Sequence, residues 1–379
     1  MSGQPALPRW FARAFWSGLA LVASVVVTVH SLADSACTLD RATATTIDPK
    51  PFLTGGYGTR WNRAVGRIAF MRPDATGHYQ LFTMQPDGTD IRALSELRPE
   101  PANGHAGSAY WHPSGRYVLF TAQKPDWHGR GLFGVPDYEA LPGFGRHDDL
   151  WAATPDGAHF WPLLNEPNDR DEGILMPVVS PDGRAVAWSA RQPGGKYLLM
   201  VADFVETPAP HLANARAYQP GNGGYFEPGS FTSDSRALMY ATDQDTHNFW
   251  LSQIDRLDLA TGQSVRLTRG GDYNEHPTVV ATPSGDWVIY MSTREARRRP
   301  FHLMLGTDWW VMRADGSGVK RLTTMNINGP GNPEDFGAPQ VAGTVSVSPT
   351  GQFMLGDVQD SLVKQTGLVR VVRFVCPTR

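Results

Sequence analysis

Cysteine is scarce in this chain. Its 379 residues include two, Cys37 and Cys376, which allows one disulfide at most. Charge is scarce as well: 19% of residues are charged and the formal net charge is −3, so bulk electrostatics supply no attraction for nucleic acid or an anionic membrane. The common enzyme signatures are missing. There is no G-x-S-x-G elbow, which removes support for a serine-hydrolase domain. There is no P-loop and no H-E-x-x-H. The acidic groups Asp169, Asp171, Glu172 and Asp243, Asp245, Asn248 lack calcium-loop spacing and read as solvated or locally bonded turns. The turns also lack the Ser-x-Asp-x-Gly-x-Thr-Trp spacing of sialidase propellers.

A long apolar run occurs at the start, Phe15–Val29, and it is short for a spanning helix. Arg9 and Arg13 precede it, and Ser31-Leu32-Ala33 follows with small residues at the cleavage-determining positions. Residues 1–36 therefore read as an export signal cut after Ala33, with Ala36 as the second choice and an uncleaved anchor as the alternative. Asp34-Ser35-Ala36 makes a poor lipidation box before Cys37, and there is no twin arginine. The expected location is periplasmic or extracellular, and a membrane is involved only if the anchor stays.

What the chain has in quantity is turn formers: 39 glycines and 30 prolines. It also has a repeat. The stretch MPVVSPDGRAVAWSARQPGGKYLLMVAD (176–203) reads as three apolar runs separated by turns, the first being Ser180-Pro181-Asp182-Gly183. Its second run recurs as GRIAFMR at Gly66, GRYVLFTA at Gly115, GRAVAWSA at Gly183, SRALMYATD at Ser235, GDWVIYMST at Gly285 and GQFMLGDV at Gly351. Six copies about 50 residues apart, two of them with insertions, indicate stacked units. Each unit holds an innermost strand, an SPDG-like turn, a strand apolar on both faces, a variable loop, a third strand, a second glycine turn and an outer strand. The expected fold is all-β: one six-bladed β-propeller with four-stranded blades over residues 37–376.

The last unit is one strand short, and Cys37–Ile47 is a strand without a nearby partner. Inserting it into the last blade closes the ring and removes an open edge. Cys376 then ends the third strand where Cys37 begins the fourth, so a Cys37–Cys376 bridge is expected. Pro49–Arg63 reads as a Gly-rich connection, and the outer strand of unit three is poorly defined around Pro210–Ala213. The long segments Gln123–Asp149, Asn165–Gly173, Asn214–Glu227, Arg294–Asp308 and Met325–Gln340 all fall on one face of the ring, the expected binding surface.

The segments SPDGRAVAWSA, TPSGDWVIYMST and RADGSGVKRLTT resemble the repeats of TolB-type propellers, over roughly residues 60–375. The resemblance implies an exported protein-interaction scaffold. Related propellers occur in peptidases and in oligogalacturonate lyases, which use a mainly histidine metal site in the channel. Unlike TolB, this chain is expected to have no separate N-terminal α/β domain. Copies one and four also lose the turn proline.

Polar residues near the starts of the innermost strands converge on the channel mouth: His105, Glu172, Glu227, Glu275, His276, Glu334 and Asp335. Such a ring suits a divalent cation, with His105, His276 and Glu227 as candidate ligands. Only His105 and His276 match the lyase pattern by position, and the glutamates depart from it. The alternative is a solvated, hydrogen-bonded mouth. Trp127, His128, Phe133, Tyr138, Phe144 and His147 make one loop an aromatic platform or a self-packed loop. Arg294, Arg297, Arg298 and Arg299 form a basic tip for an acidic partner, or a solvated one. The leading expectation is a monomeric, non-enzymatic binder of a protein or polysaccharide at the loop-rich face. The alternative is a carbohydrate-active lyase or hydrolase on an acidic glycan.

Overall fold

The computed structural model of the chain describes residues 37–98, 104–124, 141–142, 144–165, 172–221, 223–296, 306–327, 331–359 and 367–377. The expected signal (1–36), Trp127, His128, Phe133, Tyr138, Asp169, Asp171 and Arg297 to Arg299 lie outside them. Among the described residues, six antiparallel sheets follow one another, each with a strand from the repeated apolar run. The innermost strands are Tyr57–Asn62, Ala106–Trp111, Gly173–Val179, Phe226–Phe231, Asn274–Thr282 and Val341–Val347. Each contacts the next, and the last contacts the first, so the sheets close into a ring.

The second strand of every blade is sandwiched between neighbours. Val118–Gln123 and Ala237–Thr242 are buried at every residue, which is why these runs lack strand alternation. Trp188, Trp309, Tyr240, Phe70 and Phe120 are among the largest fully buried side chains, and each such burial contributes about 2–3 kcal/mol. The indole of Trp309 lies so close to blade six that a Cβ on Gly356 would sit 2.4 Å from it.

The turn chemistry repeats as expected. Gly183 donates its N–H to Ser180 O, and Asp182 accepts from the Ser180 hydroxyl and the Arg184 N–H. Blade four keeps this geometry without proline, and Ser235 adopts the left-handed φ of 61° where the other copy has glycine. The turns also bond to one another around the ring. Asn62 donates to His112 O (3.0 Å), the His112 ring bonds Gly183 O (2.9 Å), Asp182 N–H donates to Ser235 (3.2 Å), and Ser233 N–H donates to Asp286 (2.8 Å).

Ring closure follows the expected exchange with a shorter strand than Cys37–Ile47: residues 39–41 form a turn and only Ala44–Ile47 is extended. Ala44–Ile47 pairs with the end of Gly367–Val375, in the register Ala44 with Val375 and Ile47 with Val372. Cys37 and Cys376 are joined, with Cα atoms 5.4 Å apart. Two expectations are corrected. Pro49–Arg63 is not a mere connection: Leu53–Thr54 pairs with the last strand, and Tyr57–Asn62 is the innermost strand of blade one. Its glycines hide it, since Gly58 (φ 70°) occupies a β-bulge. The outer strand of blade three is also well formed, His211–Tyr218. It is mostly solvent-exposed, so it carries no apolar pattern, and it takes the first part of the expected Asn214–Glu227 loop.

Replacing Cys376 by Ser should destabilise the protein by up to about 5 kcal/mol, the chain-entropy value for so long a closed loop. Denaturant unfolding of wild type and variant under oxidising conditions checks this; equal midpoints would mean that strand pairing alone latches the ring.

Candidate functional site

The innermost strands do not run straight. Each has a register break part-way along, at Tyr57/Arg60, Gly107/Tyr110, Leu175/Val178, Pro228/Ser230, Glu275/Thr278 and Ala342/Val345. In four blades a break residue has positive φ: Gly58, Ser108, Met176 and His276. For the non-glycine members this conformation costs on the order of 1 kcal/mol or more each. The bulges re-aim side chains toward the axis. There they line a cavity of about 460 Å³ on the long-loop side of the ring.

Blades four and five supply the polar wall through a repeated Tyr-x-Glu: Tyr225-Phe226-Glu227 and Tyr273-Asn274-Glu275. Residues two apart in a strand share a face, so each tyrosine hydroxyl donates to the glutamate two residues on. His276 lies between the blades. Its Nδ1 is 2.6 Å from Glu227 Oε1 and its Nε2 is 3.7 Å from Glu275 Oε2. Glu275 Oε1 is buried without a hydrogen-bond partner. Glu227, Glu275 and His276 can each present a ligand atom within 4.8 Å of the others, a geometry that would accommodate a cation.

Burial sets the charge states. Burial first, and then the charge of Glu227, pushes Glu275 up to about 8. Burial alone would lower His276, but the charges of Glu227 and Glu275 overcome it and raise it to about 9. Burial opposes ionisation of Glu227 too, yet His276 and Tyr225 hold it below its ordinary value. At neutral pH the trio is an ionised Glu227, a protonated His276 and a protonated Glu275.

An aromatic wall adjoins this trio. Phe249 and Trp250 lie on a short 3₁₀ turn, with Asn248 capping the Trp250 N–H (3.1 Å). Ring centroids are 5.1 Å apart for Tyr225 and Phe249, 5.4 Å for Phe249 and Tyr273, and 5.9 Å for Trp250 and Tyr273. Trp250 remains 52% exposed at the rim. Across the cavity, Asp357 accepts from Gly58 N–H (2.8 Å) and the Thr344 hydroxyl, and Arg60 stacks over Tyr110.

Of the expected mouth residues, the fold brings together Glu227, Glu275 and His276. His105 stands apart: it accepts the Tyr79 N–H (3.0 Å), packs on His78, and is held down to about 4 by burial. Glu172 is half-buried and accepts the His147 N–H through its carbonyl; Glu334 accepts from Thr324; Asp335 is exposed and accepts the Gly337 N–H. None of these lines the cavity. Asp243 and Asn248 are locally bonded, to the N–H groups of Tyr225 and Trp250, and Asp245 pairs with Arg266. Sequence reading passed over Tyr225, Tyr273, Phe249, Trp250, Arg60 and Asp357. The tandem Tyr-x-Glu in successive units was the available signal for the first two.

No family model matches the sequence, and no curated protein matches it. Solved structures do. TolB from Acinetobacter baumannii is similar at 15% identity and TM-score 0.48, over 82% of this chain and 64% of that one. A puromycin hydrolase is similar at 18% identity and TM-score 0.50, over 82% of this chain and 42% of that one. A puromycin-hydrolyzing peptidase from Mycobacterium tuberculosis gives 13% and 0.49, over 82% and 40%. The fold is that of a TolB-like β-propeller. At these identities the likeness concerns the fold alone, and the chain spans less than two-thirds of each of these three. Within the TolB-like ring, the Tyr-x-Glu pair and its aromatic wall are features of this chain's own residues.

Glu275 and His276 bind a proton more tightly in the fold than in the unfolded chain. Stability is therefore full below their ordinary values and declines as pH rises, toward about 8 for Glu275 and about 9 for His276. Glu227 acts in reverse, losing its contribution below about pH 4.5, its ordinary value. Urea unfolding should show stability falling from pH 6 to pH 9, with a smaller fall in Glu275→Gln; an equal fall in both would contradict the assigned charge states.

Proposed function

We propose that this chain is an exported, non-enzymatic binding protein that takes a segment of a protein or polysaccharide at its long-loop face, into the axial cavity. The cavity carries this reading. It is lined by residues from all six innermost strands, and an exposed tryptophan stands at its rim. On the opposite face the short turns are hydrogen-bonded to one another from blade one to blade five. Concave, largely apolar sites with a few placed polar groups are the usual form of a ligand site. Export is supported by the Cys37–Cys376 bridge, since disulfides persist in oxidising compartments, together with the signal-like first 36 residues. The hydrolysis named for the similar peptidases concerns proteins of which this chain spans about two-fifths.

Peptide and oligosaccharide panels screened by thermal shift should yield a stabilising ligand. Hydrogen exchange should then show protection at 225–228, 249–251 and 273–276, and Trp250→Ala should weaken binding about tenfold. Protection centred on turns 180–183 and 232–235 would sink the proposal.

The buried Glu227–Glu275 pair supports a second reading, a lyase or hydrolase on an acidic glycan, in which burial raises Glu275 as the acid and His276 holds Glu227 as the carboxylate. On that reading polyuronates are depolymerised near neutral pH and Glu275→Gln abolishes turnover. Wild-type protein inert on such a panel excludes it.

A further inference from the structure

Among the described residues, the ionisable side chains lining the cavity, tyrosines aside, are Glu227, Glu275, Asp357, Arg60 and His276. Three acids face two bases. With all five ionised, one negative charge would be left uncompensated where Glu227 and Glu275 are 2% and 3% exposed; the free site avoids that costly state by keeping a proton on Glu275, whose place a bound cation takes. A monocation cancels that charge. An anion doubles it, and a dication overshoots unless His276 first gives up its proton.

The aromatic wall points to the form of that cation. Phe249 meets Tyr225 at 81° and Trp250 at 75°, while Tyr273 meets Phe249 at 55° and Trp250 at 54°. Rings set at such angles make a concave corner that presents several faces, and ring faces attract cations. Two of the rings are hydroxyl-bonded to the carboxyls themselves, so the corner and the acids form one unit. Met71, Met176 and Met291 line other parts of the cavity with unbranched, polarisable side chains that accommodate an apolar body.

We propose that the axial cavity recognises a single alkylammonium group on an apolar body, the nitrogen held between the Glu227–Glu275 pair and the corner formed by Tyr225, Phe249, Trp250 and Tyr273. This rests on the reading that ligand enters the cavity. A small amine and the lysine side chain of a protein segment share this chemistry.

Calorimetry on the intact, oxidised protein separates the possibilities. The probes are phenethylammonium, a blocked lysine (acetylated at its α-amino group and amidated at its carboxyl), phenethyl alcohol, 3-phenylpropionate and manganese(II) alone. The ammonium probes should bind at least about tenfold more tightly than the alcohol and the carboxylate, the scale of a desolvated cation–π contact. Preference between the two ammonium probes tells a free amine from a lysine side chain. Trp250→Ala, at an exposed position that leaves the fold intact, and Glu275→Gln should each lower ammonium affinity about tenfold. Equal binding of alcohol and ammonium, preference for the carboxylate, a Glu275-dependent response to manganese alone, or no ammonium binding would each overturn the proposal. The first two would still leave a ligand cavity standing, which hydrogen-exchange protection at 225–228 and 273–276 would register.

Discussion

The ring depends on one pairing: four residues near the start of the described chain, Ala44–Ile47, are hydrogen-bonded to its last strand. Without them blade six would end on an open edge, a row of unpaired backbone donors and acceptors. The same segment is bound on its other side. Leu39, Ala42 and Ile47 join the core that contains Trp309, Val372 and Phe374. Lys320 of blade five donates to Ala42 O (2.7 Å), and Thr45 donates to Leu322 O. The N-terminal strand thus fastens blade five as well as blade six, and the disulfide fixes its end.

Closure produces two unlike faces. On one, Ser/Thr-x-Asp turns are short, self-bonded and bonded across blades, so that face is stiff and largely spoken for. On the other, the variable connections and the starts of the innermost strands surround the axis. Backbone bulges concentrate there, with left-handed φ at Ser108, Met176 and His276. Such conformations persist where the surrounding structure over-determines them, and they commonly accompany sites.

The site itself is electrostatically expensive. Two buried carboxyls and an imidazole are held together by blade packing, and the group adjusts by shifting protons rather than by leaving charges bare. Glu275 stays protonated at neutral pH because it is buried and because Glu227, already matched to His276, is ionised beside it.

The parts of this chain visible in one dimension are those whose physics is local. The turn tetrads and the doubly buried second strands have their own composition, so six blades, the closing strand and the Cys37–Cys376 bridge could be read from residue order. Tyr57–Asn62 could not, because glycines at its bulge mimic a loop. His211–Tyr218 could not, because an exposed outer strand has no apolar signature. Glu227, Glu275 and His276 were legible one by one as polar residues at strand starts. Their union, the separation of His105 from them, and the joining of Tyr225, Phe249, Trp250 and Tyr273 into one wall were settled by tertiary structure. The reason is geometric: residues on different blades meet only once the ring is closed, and the φ of each bulge determines which side chains face the axis.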